Sequence, residues 1–147
     1  NYAVGGRCSD HGELLISEIA IQKPDLLVIA YGMNDTGYHD APQYERRIRH
    51  IIEESRAAAP ELEVILVSSM LGNSEWLGKS HEVFREYRDV LASLCGAGTV
   101  LADLTALWES LLQRKTFHDL TGNGVNHPND FGHRLYADVL LDTLLGA

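Results

Sequence analysis

Short apolar runs alternate along the chain with longer segments in which apolar and polar positions repeat with helical spacing. Three runs predict strands, and they cover residues 25–31, 63–69 and 98–103. The first two are apolar at nearly every position, which is typical of parallel strands that are covered on both faces. The chain therefore carries the strands of a buried parallel sheet.

Five amphipathic segments predict helices, because apolar residues recur every three or four positions in each of them. They cover residues 9–23, 42–59, 80–96, 104–115 and 129–146. We expect Ser9 or Asp10 to cap the first helix and Gly96 to follow the third as its C′ residue. Asn129 or Asp130 is the expected N-cap of the last helix. Residues 116–128 are expected to form a long loop.

The second of these helices has the clearest apolar stripe. Its members are Tyr44, Ile48, Ile51, Ile52 and Ser55, and charged residues occupy the opposite side. We expect this stripe to face the sheet.

Strands that alternate with helices predict an α/β fold, in which a parallel sheet lies between two helical layers. The length of 147 residues suits one domain spanning 1–147. Three strands make a thin sheet, so we expect the domain to be incomplete at its N-terminus, with one or more strands preceding residue 1. A sheet edge left open in this way would need cover from a second copy of the chain or from a partner chain.

The composition restricts the classes of partner that the protein is expected to bind. The net charge is −9, from 12 basic and 21 acidic residues, which argues against a nucleic-acid or anionic-membrane surface. No run of about 18 apolar residues is present, so the sequence predicts no membrane span. The two cysteines, Cys8 and Cys95, do not form a CxxC motif and are expected to be free, partly buried thiols.

Two short motifs are candidates for a functional site. In YGMND (31–35), Asn34 stands just beyond a strand, where α/β folds place their sites. Its side-chain NH₂ could stabilise an oxyanion, or it could simply hold the loop, as we expect Asp35 to do. In NYAVGGR (1–7), two glycines precede a helix and free the backbone N–H groups to point at a ligand, or they form a simple tight turn.

The third motif is GVNHPND (124–130), in which His127 precedes the last helix. Histidine is the usual general base near neutral pH, although a surface capping residue is the plainer alternative. Together with His118, Asp119 and His133, it could also form a metal site. Their spacing matches no familiar zinc pattern, and we assign no metal.

The combination of these three motifs resembles the SGNH, or GDSL-type, hydrolase superfamily over nearly the whole chain. NYAVGG is similar to its second block, GMND to its third and NHPNDFGH to its last. The resemblance implies a flavodoxin-like, three-layer α/β/α hydrolase fold and no cofactor. It also implies removal of acyl or acetyl groups from carbohydrates, lipids or small esters.

The resemblance also implies the roles of three residues. Gly6 would offer its backbone N–H and Asn34 its side-chain NH₂ to the oxyanion. His127 would be the base that deprotonates a serine and then protonates the leaving alkoxide. NYAVGGRCS is similar to the second block of carbohydrate acetylesterases as well, so an acetylated carbohydrate is the leading substrate class.

Two departures from the family pattern stand out. The chain has no G-D-S motif, and we expect the nucleophilic serine to lie upstream of Asn1. Gly124 stands where the family carries an aspartate that orients the histidine. Its replacement is expected to be a nearby backbone carbonyl, the side chain of Asn123 or Asn126, or Asp119. The departures keep two alternatives open, namely a non-catalytic binding module and, less favoured, a metal-dependent hydrolase.

Overall fold

A parallel sheet forms the centre of the molecule. The computed structural model describes residues 1–78 and 80–146, and its three strands are β1 (Leu26–Ile29), β2 (Glu63–Val67) and β3 (Thr99–Ala102). They lie in the order β1-β2-β3, with Ile65 paired to Val28 on one side and to Val100 on the other. All three predicted strands are confirmed, each somewhat shorter than its apolar run.

Eight helices surround this sheet within the described residues. They are α1 (Ser9–Leu14), α2 (Ile16–Gln22), α3 (Ala41–Ala58), α4 (Ser74–Leu77), α5 (His81–Ser93), α6 (Leu104–Leu112), α7 (Phe117–Leu120) and α8 (Asp130–Leu145). A single 3₁₀ turn, Asp35–Gly37, follows β1. In the portion that the structure covers, no helix combines the length and apolar character that a membrane crossing requires.

The sheet buries its two faces against different helices, which makes the fold a three-layer α/β/α sandwich. One face packs Ile29, Val64 and Leu66 against α3 and α5. The other packs Ile65 and Val67 against α6 and α8. Alternate residues of β2 thus enter opposite cores, as the pleat of a strand requires. The expected fold class is confirmed.

The stripe on α3 is confirmed residue by residue, since Tyr44, Ile48, Ile51, Ile52 and Ser55 are its buried positions. A capping box between Asp40 and Gln43 fixes the start of the helix. Helical spacing within this one segment determines which of its residues face the core, so the sequence pattern alone predicts the buried positions.

The first predicted helix is divided into α1 and α2 at Leu15. The Leu15 N–H donates to the Gly12 carbonyl (3.1 Å), a contact one residue shorter than an α-helical bond. Gly12 packs so tightly that a Cβ there would meet Ile51 and Tyr31 at 2.8 Å. Close packing of this turn against α3 and the end of β1 accompanies the break.

Two expected caps are wrong. Cys8 occupies the N-cap position of α1, and Ser9 lies inside the helix with its hydroxyl bonded to Asp35 instead. Helix α5 ends at Ser93, and Gly96 pairs with Thr99 in an isolated bridge rather than serving as the C′ residue. The positive φ of that turn falls on Gly98 (φ 69°). The cap at Asn129 is confirmed, because its side chain accepts the Gly132 N–H (2.9 Å).

The expectation that β1 is covered on both faces is wrong. β1 is an edge strand, and Leu26 and Val28 are 38 % and 47 % exposed. By contrast, the four residues Val64–Val67 of the central strand β2 are all buried. An apolar edge with free backbone groups is a surface on which a further strand can pair.

The opposite, amino-terminal end of the sheet is fixed by Arg56. From α3, its guanidinium donates to the carbonyls of Gly98 (2.7 Å) and Leu62 (3.2 Å) and to the hydroxyl of Thr99 (2.9 Å). A single side chain thereby ties a helix to the start of β2 and of β3. The five donors of a guanidinium make arginine suited to such a junction.

We expect Ile48→Ala to lower the free energy of unfolding by about 2–5 kcal/mol, because Ile48 is fully buried and its truncation leaves a cavity beneath α3. Urea denaturation followed by far-UV circular dichroism measures this change. Ile21→Ala is the matched control, since Ile21 is 77 % exposed and its loss should cost little. Equal effects of the two substitutions would contradict this assignment of the core.

Candidate active site

Asp35 organises the segments that carry the candidate residues at the carboxyl end of β1. Its carboxylate is fully buried and accepts the N–H of Ser9 (2.8 Å), the hydroxyl of Ser9 and the N–H of Gly32 (3.1 Å). Its backbone carbonyl accepts the N–H of His39 (2.8 Å). The expectation that Asp35 holds the loop is confirmed. Asp35 also binds Ser9, the first residue of α1.

Gly6 and Asn34 are brought together by this arrangement. Both line a groove of about 450 Å³ that runs along the open edge of β1. The Asn34 NH₂ donates to the Arg7 carbonyl (3.2 Å), which holds the amide beside the residue that follows Gly6. An NH₂ group carries two N–H bonds, so one remains to donate to a ligand.

Gly6 is required by backbone conformation rather than by space. Its φ is 76°, in the left-handed region that side chains avoid, while a Cβ at this position would meet nothing within 4 Å. The unusual φ decides the direction in which the backbone N–H of this exposed turn points.

His127 lies in a different loop, which Asn123 shapes. The Asn123 side-chain oxygen accepts the backbone N–H groups of Val125 (2.9 Å), Asn126 (3.0 Å) and His127 (3.1 Å). The His127 carbonyl in turn accepts the Gly122 N–H (2.8 Å). One carboxamide thus turns three successive residues around itself, and the imidazole at the end of the turn is exposed.

Asn73 attaches this loop to the carboxyl end of β2. Asn73 is 7 % exposed, and its backbone N–H donates to the Val125 carbonyl (2.9 Å) while its side chain donates to the Gly124 carbonyl (3.0 Å). A cluster that includes Met70, Leu71 and Trp108 supports the same end of the sheet. The loop that carries His127 is therefore docked on the sheet rather than free.

The structure places the three candidate residues at the same end of the sheet but does not join all of them. Gly6 and Asn34 share one groove, whereas His127 is not among the residues that line it. Within the described residues, no hydrogen bond links the His127 imidazole to either of them. The assignment of the three residues as one catalytic group stays a prediction.

The groups expected to orient His127 already have other partners. The Asn123 oxygen is bonded to backbone N–H groups, the Asn126 oxygen to the Asn123 NH₂, and the Gly124 carbonyl to Asn73. The Thr116 backbone N–H, and then its hydroxyl, bond to the Asp119 carboxylate and lower the pKa of Asp119. No bond to the His127 ring is present among residues 1–78 and 80–146.

The histidine-rich segment does not form a metal site in the part of the chain that the structure describes. His118, Asp119, His127 and His133 do not bring their ligand atoms together there. The one set of three such groups found in that part is Cys8, Asp10 and His39. Both cysteines are free, as expected. Burial raises the pKa of the Cys8 thiol most, and the negative charges of Asp35 and Asp10 raise it further.

Sequence reasoning missed the positioning role of Asn73. Its signal was an asparagine a few residues beyond a predicted strand, in LGNSEW, the same signal that marked Asn34. The triple acceptor role of Asn123 depends on the turn geometry, and only its closeness to His127 pointed to it.

The sequence matches a known protein family over most of its length. The model of the GDSL-like lipase/acylhydrolase family matches residues 1–135. The chain belongs to this family. Family membership places it among the hydrolases of carboxylic esters. A comparison with curated proteins finds no significant match.

Solved structures share the fold at low sequence identity. An acetylxylan esterase of Geobacillus stearothermophilus, solved as a catalytic mutant, superposes with a TM-score of 0.77 at 22 % identity, covering 92 % of this chain and 67 % of that one. A carbohydrate esterase family 3 protein of Talaromyces cellulolyticus gives 0.73 at 22 %, covering 96 % and 68 %. A lipolytic G-D-S-L family member of Veillonella parvula gives 0.74 at 20 %, covering 93 % and 74 %.

We expect Asn123→Ala to loosen the loop before α8, because three backbone N–H groups lose their common acceptor. Hydrogen exchange of residues 125–127 should accelerate at least about tenfold, equivalent to about 1.4 kcal/mol of local opening. Asn123→Asp is the matched control, because its carboxylate keeps the acceptor oxygen. Unchanged protection in Asn123→Ala would mean that the loop is held by Asn73 alone.

Proposed function

We propose that this chain supplies the oxyanion donors and the general base of a serine esterase that removes an acetyl group from a carbohydrate. The observation that carries the proposal is the convergence of Gly6 and Asn34 on one groove beside the open edge of β1. Membership of an acylhydrolase family supports the reaction class. The resemblance of NYAVGGRCS to carbohydrate acetylesterases supports the substrate class. Two structural neighbours, a carbohydrate esterase of family 3 and an acetylxylan esterase, support it as well.

In the proposed reaction, a serine hydroxyl attacks the carbonyl carbon of the acetyl ester. The Gly6 N–H and the free N–H of Asn34 donate to the oxygen, on which negative charge develops. His127 accepts the serine proton and then gives it to the sugar alkoxide as that group leaves. Water hydrolyses the acetyl-serine through the same base, which releases acetate and restores the enzyme.

We place the nucleophile on a strand that precedes Asn1 and pairs with β1. The exposure of Leu26 and Val28 supports this placement, because such a strand would cover both residues and reach the groove. Two serines within the chain are poor alternatives. Ser9 and Ser68 are buried, and their hydroxyls are bonded to Asp35 and Asp103.

Trp76 is the residue that we propose to contact the sugar. It lies on α4 and is 73 % exposed, although large aromatic side chains usually bury most of their surface. Its backbone N–H donates to the Asn73 carbonyl (3.1 Å), so the residue that docks the His127 loop also holds Trp76. A flat apolar ring at the site end can pack on the face of a pyranose.

We expect Trp76→Ala to weaken binding of an acetylated xylooligosaccharide about two- to tenfold, the range that an aromatic packing contact gives. Isothermal titration or the shift of side-chain NMR signals measures this effect without turnover. Trp76→Phe should retain most of the affinity because it keeps a ring. Equal affinity of Trp76→Ala and the unchanged chain would remove Trp76 from the sugar site.

The serine esterase is tested by covalent labelling with a fluorophosphonate, which marks activated serines, followed by peptide mapping. We would compare this chain with a form extended upstream through the preceding strand, each with and without His127→Ala. We expect label on an upstream serine of the extended form, at a rate that falls at least about a thousandfold without His127.

Two results would contradict this scheme. Stoichiometric labelling of a serine within residues 1–147 would show that the nucleophile is internal. A folded extended form that takes no label would favour the alternative of a binding module, in which the groove holds an ester or sugar without cleaving it. The replacement of the family aspartate by Gly124 is the observation that favours this second function.

A further inference from the structure

We propose that Cys8, Asp10 and His39 form a binding site for a zinc-class divalent cation. A thiol sulfur, a carboxylate oxygen and an imidazole nitrogen of these residues all lie within 4.8 Å of one another. The ligand atoms of a tetrahedral zinc ion are about 3.3–3.8 Å apart, given metal–ligand distances of about 2.0–2.3 Å. Small side-chain rotations therefore bring the three atoms to ligating distance.

The donor set selects the class of metal. Thiolate and imidazole are ligands that zinc prefers, whereas magnesium and calcium take oxygen ligands almost exclusively. Three protein ligands leave a fourth tetrahedral position for water or for a small ligand. Cys8 is 9 % exposed and Asp10 is exposed, so an ion would enter from the side of Asp10.

The backbone that carries these ligands is already fixed. Cys8 directly precedes Ser9, whose N–H donates to the Asp35 carboxylate (2.8 Å), and the His39 N–H donates to the Asp35 carbonyl (2.8 Å). The Tyr87 hydroxyl donates to the His39 carbonyl (2.6 Å). A metal site gains affinity when its ligands are held in place before the ion arrives.

The charges that face the site come from three elements. Asp10 on α1 and Asp35 after β1 are negative and attract a cation. Arg47 on α3 opposes them, because its guanidinium lies 2.6 Å from a ring nitrogen of His39. Arg47 also pairs with Glu13 at 3.5 Å, which offers it another partner when an ion takes the imidazole. Arg47 and the metal therefore compete for His39.

Binding of zinc would act on the oxyanion segment. Cys8 follows Arg7, whose carbonyl receives the Asn34 NH₂, and Gly6 comes just before. A metal ion on Cys8 would add a further constraint at the end of this exposed segment, beside the bond that already holds Ser9. Cys8, Asp10 and His39 take no part in the proposed ester hydrolysis, so zinc binding can be tested separately from esterase activity.

The test is a titration of the metal-free chain with zinc chloride, in competition with a chromogenic chelator. We expect one equivalent to bind and to raise the melting temperature. Cobalt(II) as a substitute should give the thiolate charge-transfer absorption of a cysteine-bound ion. Cys8→Ser should abolish this band, and Cys8→Ser, Asp10→Asn and His39→Ala should each weaken zinc binding at least about tenfold.

Matched controls separate this site from chance binding. Cys95→Ser and His50→Ala change a cysteine and a histidine outside the cluster and should bind zinc like the unchanged chain. Arg47→Gln should bind zinc more tightly, because it removes the competitor. Serine is itself a favoured N-cap, so Cys8→Ser should keep its fold, which circular dichroism checks. Absence of saturable binding, or binding that Cys8→Ser leaves unchanged, would overturn the proposal.

Discussion

A single buried carboxylate, that of Asp35, holds together the segments that carry the candidate residues Gly6 and Asn34. It joins the start of α1 to the turn after β1 through Ser9 and Gly32, and its own carbonyl holds His39. Hydrogen bonds to a charged acceptor contribute about 1.5–3 kcal/mol each, and removing the acceptor leaves its donors buried and unpaired. Asn34 directly precedes Asp35, and Cys8 directly precedes Ser9, so Asp35 helps to position both the amide and the thiol.

Features that depend on contacts between distant parts of the sequence could not be predicted from local patterns. The stripe of α3 was predictable because each of its residues faces the core by helical spacing alone. Ser9 was expected to cap a helix, yet its partner is Asp35, a residue that no local pattern connects to it. The exposure of Val28 likewise depends on which strand lies beside β1, and its own composition is that of a buried strand.

The candidate site shows the same division. Gly6, Asn34 and His127 were predicted as a set because the order of the motifs along the chain resembles a known family, and their common role stays a prediction. Their supports were not predictable, since the bonds from Asn73 and Asn123 depend on how two loops meet. The histidines near residue 127 suggested a metal site by closeness in sequence. The ligand atoms that lie close in space come from Cys8 and Asp10, which precede β1 in the sequence, and from His39, which follows it.

The junction made by Arg56 bears on which substitutions this fold can tolerate. It fastens α3 to the amino-terminal ends of β2 and β3, far from the loops that carry the candidate residues. The Arg56 junction and the candidate site therefore lie at opposite ends of the same strands. Gly124 stands in a loop at the carboxyl end, so a substitution there removes none of the bonds of Arg56. Side chains near the candidate site can therefore be replaced while the junction that ties α3 to β2 and β3 stays unchanged.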